Sequence, residues 1–259
     1  MKLSRLLATT ALLVGSTLMA PLHATIVQFN TSLGNFEVNL FDETTPKTVE
    51  NFLSYVKDQS YDNNVVHRLV PGFIVQGGGF VYTGQVPFGN VVAKAAVQNE
   101  PKWSNRRGTI AMAKIGDQPN SATSQWFFNL VDNQTNLDAQ NGGFTVFGQI
   151  SVQGLEILQQ MAQLPTYNFG GAATNIPLRN YTSADFAAGK ALTADNLVLI
   201  ESVFVIDTRV NTAAGLTPVA NTLASNGTSE GDSGSGSINW LVLLLLPLAA
   251  LRLRAAHRS

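Results

Sequence analysis

Residues 64–80 read N-V-V-H-R-L-V-P-G-F-I-V-Q-G-G-G-F. Two short apolar runs, Val65–Val70 and Phe73–Gln76, flank Pro71-Gly72 and end at Gly77-Gly78-Gly79. Proline presets its own φ and glycine accepts positive φ, so the pair specifies a turn and the two runs specify a hairpin. Alternation along a strand puts Arg68 on one face, with Phe73 and Gln76 nearby on the returning strand. A permanent cation, an aromatic ring and an amide are thereby carried on rigid β-structure, which is how a site is built. A barrel strand with a solvated arginine has the same pattern, so periodicity alone leaves both readings open.

Composition narrows the chemistry around this hairpin. The chain has 259 residues, 45% of them hydrophobic, enough for one domain of about 180 residues with terminal extensions. Sixteen basic and 17 acidic residues give a formal net charge of −1. No Lys/Arg run crosses the body of the chain, which argues against a nucleic-acid surface. Cysteine is absent, excluding thiol nucleophiles, thiolate metal sites and disulfides together. Of the three histidines, His23 and His257 lie near the termini, leaving His67 alone in the body. A multi-histidine metal site is thereby excluded, and a Ser-His-Asp triad would depend on that one residue. His67 is expected to pack in the core, on the face opposite Arg68. No phosphate-binding or dinucleotide glycine motif occurs, so neither metal nor cofactor is expected.

The rest of the body reads as strands with two helices. Ile26–Asn30 and Asn35–Leu40 are strand-like, joined by a turn over Thr31–Gly34. Residues 44–58 switch to helical period, with Thr45 as N-cap, Pro46 at the first position, and Val49, Phe52, Leu53 and Val56 on one stripe. Residues 81–108 read as a long loop, and Thr109–Lys114, Gln125–Leu130, Thr145–Ile150 and Leu197–Asp207 as further strands. Leu155, Leu158, Met161 and Ala162 mark a second helix stopped before Pro165, and residues 165–195 look irregular. Short strands with two helices at their ends predict an all-β, closed barrel with end caps.

Four segments carry a resemblance. H-R-L-V-P-G-F-I-V-Q-G-G (67–78), G-T-I-A-M-A (108–113), S-A-T-S-Q-W-F-F (121–128) and V-F-G (146–148) resemble the cyclophilin family of peptidyl-prolyl cis-trans isomerases, in that family's order and near its spacing. The resemblance covers residues 25–207 or so. It implies an eight-stranded antiparallel barrel capped by two α-helices, and an activity that needs no cofactor: rotation about X–Pro bonds of polypeptide substrates. Arg68 would be the hydrogen-bond donor to the prolyl nitrogen, with Gln76 and Phe73 beside it. Ile74, Phe127 and Leu137 would complete an apolar pocket for the proline ring, with Ala113 and Gln125 on the adjoining wall. Lys114 stands where Asn is commoner, Phe144 where His or Tyr is frequent, and Ile74 where Met is usual. Asn136 replaces the tryptophan that contacts cyclosporin in sensitive members, so weak cyclosporin binding is expected. A proline-binding module without useful turnover is the competing reading.

The termini differ in composition from the body. Residues 1–24 match a secretory signal peptide: Lys2 and Arg5, an apolar Leu6–Met19, and a cut after Ala24. The isomerase domain is expected over 25–210, followed by a flexible linker over 211–237 rich in Gly and Ser. Ile238–Leu251 is apolar and short, with Pro247 inside and Arg252, Arg254 and Arg258 after it. This end resembles the sorting tails of Gram-negative secreted proteins; a permanent anchor is the alternative. Both place the body outside the cytoplasm, in the periplasm or at the cell surface, with membrane contact through the tail. Nothing in the sequence signals oligomerisation, and a monomer is expected.

Overall fold

The structure, a computed structural model, describes residues 25–208 and 216–224. The leader, the apolar tail and most of the expected linker lie outside the described residues. Strands β1 (Ile26–Thr31) and β2 (Gly34–Leu40) form the first hairpin, and α1 (Pro46–Lys57) follows. Next come β3 (Asn64–Val65), β4 (Arg68–Val70), β5 (Ile74–Gly77), β6 (Phe80–Val81) and β7 (Gly89–Asn90). The strands β8 (Thr109–Met112) and β9 (Trp126–Asn129) precede a one-turn helix α2 (Gln134–Leu137), β10 (Val146–Ile150) and α3 (Val152–Ala162). A hairpin of β11 (Thr166–Tyr167) and β12 (Ile176–Pro177), a short α4 (Ser183–Ala187) and the long β13 (Leu199–Asp207) complete the domain.

Eleven strands share one antiparallel sheet in the order β4-β5-β9-β8-β10-β2-β1-β13-β3-β6-β7. This corrects the expectation of a closed ring of eight strands capped by two helices: the hydrogen-bonded order has two ends, and α2 and α4 are additional. The reason lies in the opening stretch. The strand expected over Val65–Val70 is broken at Val66-His67, so β3 pairs with β13 while β4 pairs with β5. The free edge of β4 is then taken by the 165–195 connection, where the Asn175 carbonyl accepts from Leu69 N at 2.8 Å. An edge occupied by a crossing chain is not free for a ladder strand. That connection, expected to be irregular, instead packs Ile176, Leu178, Tyr181 and Leu192 into a core of its own with Val65 and Leu197.

The main core collects the inward face of the sheet and both long helices. Phe29, Phe36, Phe52, Trp126, Phe128 and Phe147 are buried there, with Phe29 stacked on Phe36 at 5.2 Å and edge-on to Trp126 at 5.4 Å. From α1 come Val49, Phe52, Tyr55 and Val56, and from α3 Ile157, Leu158 and Met161. Thr45 caps α1 by position, but its hydroxyl donates to the Phe41 carbonyl at 3.1 Å. In α3, Ser151 accepts from Gly154 N at 3.2 Å, an N-cap that satisfies one orphan donor.

Within the expected linker, residues 216–224 lie along the domain. Ser104 N donates to the Val219 carbonyl at 2.8 Å and Asn221 N to the Lys102 carbonyl at 2.9 Å. Asn221 Nδ2 donates to the Asp138 carbonyl at 2.9 Å, and Leu216 packs against the cluster that forms the candidate pocket.

Candidate active site

Register builds the site. Arg68 stands opposite Gln76, Gln76 opposite Phe127, and Phe127 opposite Ala111. Directly opposed residues share a face of the sheet, so these side chains form one row across four strands. The adjacent row, Leu69, Val75, Phe128 and Ile110, points into the main core. The turn is as the sequence specifies: Phe73 N donates to the Val70 carbonyl at 3.0 Å, with Gly72 at φ +69°. Because β5 begins only at Ile74, Phe73 escapes the alternation and joins Ile74 in the same cluster.

Polar contacts fix the arginine. Arg68 is half-buried, and its Nη1 donates to Gln76 Oε1 at 3.2 Å. Gln76 Nε2 in turn donates to Gln125 Oε1 at 2.8 Å. A Cβ at Gly79 would come within 2.6 Å of Gln125 Nε2, so glycine there leaves room for this amide pair. Burial lowers the guanidinium pKa, yet from so high a starting value that the group stays charged at neutral pH. His67, buried edge-on to Phe80 at 4.9 Å, has its pKa lowered to about 4 by burial and is neutral.

Beside this row lies an apolar cluster. Phe127 is wholly buried, and Phe73, Ile74, Ala113, Leu137 and Phe144 surround it. The Phe127 and Phe144 rings meet edge-on at 5.8 Å. Lys114 reaches the same cluster from the end of β8, but its head turns toward the chain segment that leads into Phe144. Its Nζ donates to the carbonyls of Asn141 at 2.7 Å and Gly143 at 2.6 Å, and lies 4.7 Å from the centre of the Phe144 ring. Burial lowers its pKa to about 7.

The sequence-selected residues thus come together on one face. Sequence reasoning left out Ala111 and Val146, which belong to the cluster; alternation from Ala113 within the G-T-I-A-M-A segment would have found Ala111. It also left out a buried polar network beneath the pocket. Asp138 accepts from Ser104 Oγ at 2.6 Å and from Asn105 N at 2.7 Å. Asn105 Nδ2 donates to the Phe144 carbonyl at 3.2 Å, and Asn133 Nδ2 to the Phe73 carbonyl at 3.0 Å. No local pattern marks these residues, because their partners are distant in sequence.

A family model for the cyclophilin type peptidyl-prolyl cis-trans isomerase/CLD matches residues 26–182, more than half of the chain. The chain belongs to the cyclophilin family. A peptidyl-prolyl cis-trans isomerase of Acinetobacter baylyi is 36% identical over 171 residues, covering 64% of this chain and 87% of the relative. Peptidyl-prolyl cis-trans isomerase A of Dickeya dadantii is 37% identical over 171 residues, covering 64% and 88%. Peptidyl-prolyl cis-trans isomerase B of Escherichia coli is 34% identical over 151 residues, covering 56% and 88%. Among solved structures, a cyclophilin type isomerase of Cryptosporidium parvum superposes with a TM-score of 0.50 at 22% identity, covering 71% of this chain and 98% of that one. That likeness speaks to the fold: a curled antiparallel sheet with few helices. By family and by these relatives, this cyclophilin is an enzyme of the peptidyl-prolyl cis-trans isomerase class.

Proposed function

We propose that the enzyme rotates X–Pro bonds of exported polypeptides by stabilising the twisted amide, with Arg68 as the donor. Conjugation holds the amide planar with a barrier of about 20 kcal/mol, which makes the uncatalysed step take tens of seconds or more. In the twisted state the prolyl nitrogen becomes pyramidal and exposes a lone pair. A fixed N–H aimed at that lone pair favours the transition state over both planar ground states, as catalysis requires. No nucleophile, proton relay or cofactor enters, and a rate gain of about 10⁵ needs roughly 7 kcal/mol of differential stabilisation.

One observation carries this reading: the charged Arg68 head is held by Gln76 Oε1 beside the apolar cluster centred on Phe127. The proline ring would lie on Phe73, Ile74, Phe127, Leu137 and Phe144, with its backbone carried past Gln76, Ala113 and Gln125. Gln76 has both ends of its amide committed to Arg68 and Gln125, which pre-organises it. Export and delivery near a membrane are supported by the leader pattern of residues 1–24 and by the apolar, arginine-ended tail. Among the described residues no helix is long and apolar enough to cross a membrane. The exposed Asn136, with no large apolar surface to offer, supports weak cyclosporin binding; tight binding by titration calorimetry would contradict this.

The test is catalysed cis-to-trans isomerisation of a blocked Ala-Pro-Phe peptide by the purified chain, with Arg68→Ala alongside. Turnover that falls about 10³-fold in the variant is expected. Equal, negligible rates from two folded proteins would overturn the reading in favour of a proline-binding module.

A further inference from the structure

The connection that carries Phe144 into the pocket runs through an unusual bend. Asn141, Gly142 and Gly143 stand consecutively at positive φ, 52°, 73° and 75°. Such a run is costly for Asn141 and persists only where the surroundings over-determine it. Two side chains from elsewhere do so. Asn99 Nδ2 donates to the carbonyls of Gly142 at 2.9 Å and Gly143 at 2.7 Å. Lys114 Nζ donates to those of Asn141 and Gly143 and faces the Phe144 ring. The Lys114 side chain is 1% exposed, and no described carboxylate forms an ion pair with it. A long buried cation without an anionic partner is expensive to keep, so its placement against two backbone carbonyls and a ring calls for a role.

We propose that Lys114 is a positioning residue: its ammonium fastens the Asn141–Gly143 bend and thereby sets Phe144 as the wall that receives the proline ring. This rests on the isomerase reading above. The wall governs how well the ring is held in every state, whereas Arg68 acts on the twisted amide. Loosening the wall therefore raises KM more than it lowers kcat. The pocket also gains a pH response. With its pKa lowered from about 10.5 to about 7, Lys114 is charged below neutrality and neutral above it. The neutral amine keeps N–H donors but loses the charge assistance and the attraction to the Phe144 ring. Affinity for peptide then weakens as pH rises through 7. Stability runs the other way: between pH 7 and 10.5 the unfolded chain binds the proton that the folded chain has lost, so this group makes stability rise with pH. The charged groups on the neighbouring segments are engaged elsewhere or remote. Asp138 is held by Ser104 and Asn105, Glu100 by Thr48, Asp132 by Arg106, and Asp117 is exposed at a turn. The Arg68 guanidinium, although lowered by burial, starts from so high a value that it stays charged.

The experiment uses the full chain, a blocked Ala-Pro-Phe peptide and pH 6 to 9, comparing the native enzyme with Lys114→Met, which keeps the volume and removes the charge. The native KM is expected to rise several-fold across pH 7; Lys114→Met has a KM raised about tenfold at pH 6 and no pH step. A KM within twofold of native at pH 6, or a native KM flat in pH, overturns the proposal. A second measurement stands without turnover and without the variant: in the native protein, the Lys114 ε-ammonium and the Phe144 ring resonances should titrate together near pH 7. Independent titrations, or a Phe144 ring indifferent to pH, also overturn it. Absence of catalysis in the native chain would instead strike the isomerase reading, and the resonance experiment would still decide the role of Lys114.

Discussion

On the strand-borne side of the pocket, Arg68, Gln76 and Phe127 stand in one cross-strand row, whereas on the loop-borne side Leu137 and Phe144 hang from a connection held by side-chain hydrogen bonds. The first side inherits its geometry from the sheet ladder, in which each backbone bond also serves the fold. The second owes its shape to a few buried polar groups: Asp138, Asn105, Asn133, Lys114 and Asn99. Two consequences follow from that contrast. Changes on the strand side should alter catalysis and leave the fold intact. Changes beneath the loop side should alter peptide affinity and stability together.

Substituting the donor has the largest expected effect. Arg68→Lys keeps a charge but loses the planar fork that Gln76 holds, so kcat should fall about 10²-fold with the melting temperature unmoved. Steady-state kinetics paired with thermal unfolding reads this; a large loss of stability would mean the strand side is not independent of the fold. Next comes Asp138→Ala, which strips the buried Ser104 and Asn105 donors of their acceptor. A loss of about 3 kcal/mol in stability is expected in urea unfolding, with KM rising before kcat falls. An unchanged midpoint would show that the loop side is held by something other than this network. The smallest effect belongs to the C-terminal segment. Ending the chain at residue 210 removes the Val219, Asn221 and Leu216 contacts, for which a fall of a few degrees in melting temperature and a KM change of about twofold are expected. A fall in kcat instead would connect that segment to the strand side.

The same division separates what was legible. The Pro71-Gly72 turn, the alternation across it and the outward placement of Arg68 and Gln76 follow from short-range stereochemistry, and all of them can be read along the chain. So can the stripe of α1, apart from Tyr55, which faces the core where Leu53 is only half-buried. The destination of the Lys114 ammonium could not be read, since its partners lie 27 and 29 residues away in a bend with no periodicity. Nor could the seating of residues 216–224 be read from composition. Val219 and Leu223 stay exposed, but Leu216 packs against the pocket cluster, and backbone groups and Asn221 find partners on 102–104 and Asp138.

By itself, then, the sequence determined a mainly β domain, a hairpin carrying a cation and an amide on one face, and the absence of thiol or multi-histidine chemistry. Those properties depend on residue type and on periods of two or about four residues. The tertiary structure alone decided that the sheet runs to eleven strands with two ends, since the 165–195 connection took the edge of β4. It alone decided, too, that a buried lysine and a set of amides shape the second wall of the pocket. Hydrogen bonds between segments far apart in sequence leave no local signature, because each group's alternative partner in the unfolded chain is water.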